Sequence, residues 1–127
     1  MPGAWRWPAV IAASMGLAVV VLAALGSHVV SLESSRAVRL WDTALNIHLF
    51  HTIAILCVAI LLKDRPSRLL MLCGMGMALG TLLFSGSLYL SAAEVNVLPG
   101  KLAPLGGFLM MGSWLGLIIA IVRSKSD

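Results

Sequence analysis

The sequence predicts an all-α fold: four transmembrane helices packed as one bundle, with a short interfacial helix between the first two. Three observations carry that reading. Four apolar runs, Pro8 to Ser27, Ala44 to Leu62, Leu69 to Leu90 and Leu105 to Val122, approach the ~20 residues that a membrane-crossing helix needs. The chain is 60% hydrophobic and 11% charged, with a mean hydropathy of +1.00, which is too apolar for a soluble domain. The strict alternation of a membrane β-strand is absent. The runs consume most of the 127 residues, so a single four-span domain occupies the chain and no soluble domain accompanies it.

The net charge of +4 does not point to nucleic acid. The basic residues gather on no amphipathic face; they sit at the ends of apolar runs, as the positive-inside rule requires. With four spans, both termini and the second loop share a side. That side carries Arg6, Lys63, Arg65, Arg68, Arg123 and Lys125, and the other carries Arg36, Arg39 and Lys101. Six against three places both termini in the cytoplasm of a bacterium, the protein being a multi-pass component of its inner membrane.

The first span begins after Arg6 and is longer than the ~7–15 apolar residues of a secretory signal, so it reads as a retained helix. Ala12, Gly16 and Ala23 recur along it and permit close helix contact. Gly26-Ser27-His28 closes it. Ser31 to Asp42 mixes Val38 and Leu40 with Glu33, Arg36 and Arg39, too polar to span. It reads as the interfacial helix, with Ser34 or Ser35 as its cap and Trp41 at headgroup level.

Asp42, Asn46, His48, His51 and Thr52 lead into the second span, and polar groups entering hydrocarbon usually face other helices. Lys63 to Arg68 is a tight loop in which Pro66 and the charges stop that helix. A connection so short makes the second and third spans antiparallel neighbours. Gly76 and Gly80 in the third span, and Gly112 and Gly116 in the fourth, form two G-x-x-x-G pairs. Such pairs bring helices together within a chain, or serve self-association and contact with other membrane subunits. Ser91 to Pro104 is the second outer loop, and Pro104 suits the first turn of the last helix, where its missing N–H does no harm.

Several strings together resemble a known family. They are Gly26-Ser27-His28, Trp41 with Thr43-Ala44-Leu45, His51-Thr52-Ile53-Ala54-Ile55-Leu56, Leu83-Phe84-Ser85-Gly86-Ser87-Leu88-Tyr89 and Pro104-Leu105-Gly106-Gly107. The chain is similar through them to domain of unknown function 423, which takes in small bacterial inner-membrane proteins and the animal transmembrane protein 256. The resemblance implies four helices and an inner membrane, and supplies no activity. His48 stands where the family pattern has Gln or a similar residue, and Ala103 where a Thr often precedes the Pro.

His48 and His51, three apart, lie on neighbouring positions of one helical face. With His28 they are weak candidates for a metal or haem site. No Glu-x-x-His pattern supports such a site, and Cys57 and Cys73 form no C-x-x-C pair. Hydrogen bonding between helices ranks ahead of ligation, and ligation ahead of a proton relay. No catalytic set and no cofactor are expected, and the protein should purify colourless. Counting ~1.5 Å per residue from Ala44, the two histidines fall about 6 and 10 Å inside the outer end of the second span. His28, His51, Ser85, Tyr89 and Pro104 are therefore expected to form one polar cluster at that end. Three function classes remain, in this order: an accessory or structural component of a larger membrane complex, a metal- or haem-binding redox protein, and a small oligomeric carrier or channel.

Overall fold

A computed structural model describes residues 2–28, 31–95 and 100–124. Lys125 and residues 96–99 of the second outer loop lie outside the described residues. Among the described residues four helices follow one another: α1 Arg6–His28, α2 Ser35–Asp64, α3 Arg68–Ala92 and α4 Leu102–Arg123. All four are long and apolar enough to cross a membrane. The protein is an all-α, four-helix membrane protein.

The helix boundaries follow local chemistry. Ser34 caps α2, its Oγ accepting from the Ala37 N–H at 3.0 Å, and satisfies a donor that the first turn leaves unpaired. Ser67 does the same for α3 toward the Leu70 N–H. Between them, Pro66 cannot continue the helix, and the turn from Arg65 to Ser67 reverses the chain.

The stretch read as a short interfacial helix is helical but not separate. It forms the first turns of a continuous 30-residue α2. The reason is an inward stripe at helical spacing: Ala37, Trp41, Ala44, His48, His51 and Thr52 are all buried. Arg36, Arg39 and Asp42 point outward, so a polar composition conceals a packed face.

The helices pack in sequence order, α1 on α2, α2 on α3 and α3 on α4, with α1 also touching α3. Two apolar clusters occupy the interior. One gathers Ala12, Ile55, Val58, Leu62, Leu70 and Met77, with Trp5 and Trp114 against it. The other gathers Ala37, Trp41, Ala44, Tyr89 and Ala92. Much of α1 and α4 faces outward, Leu17, Val20, Phe108 and Val122 among the most exposed, as a lipid-facing surface should.

The α3–α4 seam explains several glycines. A Cβ on Gly106 would stand 2.6 Å from the Gly80 carbonyl oxygen and 2.6 Å from the Phe84 nitrogen, so the two backbones touch there. Gly76 faces Ser113, and Gly116 faces Cys73. Gly112 has no heavy atom within 4 Å of a Cβ position, so three of the four G-x-x-x-G glycines face the neighbouring helix of the same chain.

Candidate functional site

The polar side chains of the bundle meet at the middle of α2. Thirteen residues of that helix precede His48 and thirteen follow His51. Both rings are buried, 7% and 4% exposed, so each ring nitrogen needs a partner.

His51 has both. Its Nδ1 lies 2.9 Å from the Ile47 carbonyl oxygen, which can only accept. The Nε1–H of Trp114 on α4 points at its Nε2, 3.0 Å away, and an indole N–H can only donate. The ring is thereby fixed as the neutral Nδ1–H tautomer. Phe50 packs edge-on against the imidazole, centroids 5.3 Å apart.

His48 turns the other way. Its Nδ1 lies 3.0 Å from the Tyr89 hydroxyl on α3. No other acceptor is in reach of the Tyr89 hydroxyl among the described residues, so a neutral His48 ring accepts its O–H at Nδ1. Thr52 donates back to the His48 carbonyl at 2.8 Å. Ser85 donates to the Ala44 carbonyl on α2 at 2.9 Å, a second polar tie between α2 and α3. Together the two histidines of one helix bond to α3 and α4, and His48 lines a cavity with residues of α1.

Trp41 extends this set toward the outer end. It is 4% exposed, its Nε1–H donates to the Leu22 carbonyl of α1 at 3.2 Å, and its ring meets Tyr89 edge-on at 4.8 Å. A Cβ on Gly26 would collide with the Trp41 indole, so the Gly-Ser-His string at the end of α1 makes room for a tryptophan. Trp41, expected at headgroup level, is a buried core residue of the bundle.

The expected single cluster is divided. Tyr89 bonds His48 rather than His51, and His51 bonds Trp114. His28, the last residue of α1, is exposed, and Pro104, the third residue of α4, faces outward. Ser85 and Tyr89 do line one small cavity with His48, against Met15 and Leu22 of α1. Helical periodicity tells which residues of one helix share a face, but not how far that helix is rotated against its neighbours, and rotation separates the two histidines. Among the described residues, no three His, Cys, Asp or Glu side chains gather at metal-binding distance. His28, His48 and His51 therefore do not converge as a ligand set. Cys73 is buried, Cys57 is exposed, and both are free thiols.

Trp114 was missed because it sits inside an apolar run. The available signal was its N–H, which in a dry helix interface needs an acceptor.

The family described as "Protein of unknown function (DUF423)" matches residues 22–107, from the end of α1 into α4. The chain belongs to the DUF423 family. The matched stretch contains Trp41, His48, His51, Ser85 and Tyr89, whereas Trp114 lies beyond it. DUF423 relatives named as UPF0382 membrane proteins align nearly end to end. The inner membrane protein YgdD of Escherichia coli strain K12 is 35% identical over 94% of this chain and 92% of its own. A Haemophilus influenzae membrane protein is 36% identical over 91% and 94%, and YwdK of Bacillus subtilis 33% identical over 90% and 94%. No solved structure matches the chain.

Proposed function

We infer that this DUF423 chain is an accessory or structural component of a bacterial inner membrane, packing beside a larger membrane assembly with both termini in the cytoplasm. The observation that carries the reading is the use made of the polar core. The imidazoles of His48 and His51 are engaged by Tyr89, Ile47 and Trp114, and hydrogen bonds of this kind hold membrane helices together. With the interior committed to packing, the broad outward faces of α1 and α4 are the surfaces left for contact with lipid and other subunits. The orientation rests on the six-to-three distribution of Lys and Arg between the two sides, since positive charge resists translocation.

The test is mild solubilisation of native membranes, with chemical crosslinking before detergent is added. The expected outcome is a crosslinked species containing a defined second membrane protein in reproducible ratio. A chain that crosslinks to nothing, or only to itself, overturns the accessory reading.

A further inference from the structure

The α2–α3 turn and the last turn of α4 meet at one end of the bundle and enclose a cavity of about 850 Å³. Ligand sites commonly occupy 300–1,000 Å³. Its floor is aliphatic: Leu61, Leu69, Ala120 and Ile121 line it, and Leu61 and Ile121 also face outward. The cavity therefore opens onto the surface that lipid covers. Its rim is ionic. Arg65, which follows α2, Arg123, the last residue of α4, and Asp64 all line it. Two cations against one anion leave the lining net positive by one charge.

Arg65 reaches across to the end of α4. Its Nη1 donates to Ser124 Oγ just beyond α4, so the guanidinium bridges from the α2–α3 turn to the α4 end. A guanidinium has five N–H donors in a planar fork suited to phosphate, and Ser124 occupies one. Ser67, the cap of α3, lies on the same rim, where the first turn of that helix presents its positive end.

Guanidinium groups at the level where a span ends, above an aliphatic wall, match the polarity of a phospholipid. We propose that this cavity binds one anionic phospholipid, its phosphate between Arg65 and Arg123 and one acyl chain against Leu61, Leu69 and Ile121. Free phosphate would use the two arginines but not the wall. A zwitterionic lipid would use the wall but gain little from a net positive rim. The site stands whether or not the protein packs beside a larger assembly.

The experiment uses the full chain in detergent micelles doped with phosphatidylglycerol or phosphatidylcholine, with retained lipid counted by native mass spectrometry. One phosphatidylglycerol should be retained in preference to phosphatidylcholine, and excess inorganic phosphate should not displace it. Each cation near a phosphate contributes about fivefold, so R65Q/R123Q should bind roughly 25-fold more weakly. R36Q/R39Q, at the opposite end, should bind as wild type does. Asp64→Asn removes the opposing charge and should tighten binding severalfold, a gain that damage to the fold would not produce. Equal retention of both lipids, equal loss in the two double variants, or no response to Asp64→Asn overturns the site. Displacement by inorganic phosphate reassigns the cavity to a free anion and overturns it also.

Discussion

The Tyr89 hydroxyl meets the His48 ring at 3.0 Å in a buried site, so changes at position 48 act on both residues. His48→Leu leaves that hydroxyl without its acceptor, and a buried polar group so stranded costs ~1–3 kcal/mol. His48→Gln keeps an amide oxygen that can accept the same O–H. Tyr89→Phe keeps the ring against Trp41 but leaves the buried Nδ1 of His48 without its donor, a cost at the lower end of the same ~1–3 kcal/mol range, since hydrogen bonds between membrane helices average only ~0.6 kcal/mol. Unfolding titrations in mixed micelles should therefore find wild type the most stable, followed by His48→Gln, then Tyr89→Phe, with His48→Leu last. If His48→Gln proves as damaging as His48→Leu, imidazole shape and not the hydrogen bond is what matters there. At this scale the sequence showed that His48 and His51 share a face and need partners. It did not show which partners, because Tyr89 and Trp114 are brought to them by rotations of α3 and α4 that no local pattern encodes.

The α3–α4 seam depends on absent side chains. Ala at position 106 would force its Cβ to within 2.6 Å of the Gly80 carbonyl oxygen, and since both atoms sit on helix backbones, the helices must part. Overpacking of this kind costs ~1–3 kcal/mol, and Gly106→Ala should lower the unfolding midpoint accordingly. Gly112, with nothing within 4 Å of a Cβ, should accept Ala with no loss, and with a gain of up to ~1 kcal/mol from helix propensity. Equal damage at both positions would mean that glycine flexibility, not close approach, is what the seam requires. The contacts at Gly76, Gly80 and Gly116 were legible in their spacing, as were the Pro66 stop and a serine cap at position 34 or 35, whereas the closest approach, at Gly106, was not. The start of α2 was not. Its first turns carry Arg36, Arg39 and Asp42 outward, and that charge masks the inward stripe of Ala37, Trp41 and Ala44.

For the molecule as a whole, four spans were legible because twenty-residue apolar runs separated by charged turns have few other readings. Reporter fusions after Asp64 and after Glu94 should report opposite sides of the membrane, the first cytoplasmic; matching reports would remove the four-span topology. What binds the helices into one body was less legible, because it depends on two histidines at the centre of α2 reaching different neighbours. That division is the central claim, and double-mutant cycles on unfolding free energy test it most directly. The cycles combine His48→Leu with Tyr89→Phe, His51→Leu with Trp114→Phe, and His51→Leu with Tyr89→Phe. The division predicts coupling of ~0.6 to 1.7 kcal/mol within each of the first two pairs and additivity within ~0.3–0.5 kcal/mol for the third. Coupling between His51 and Tyr89, with none between His51 and Trp114, would contradict it and restore a single shared cluster.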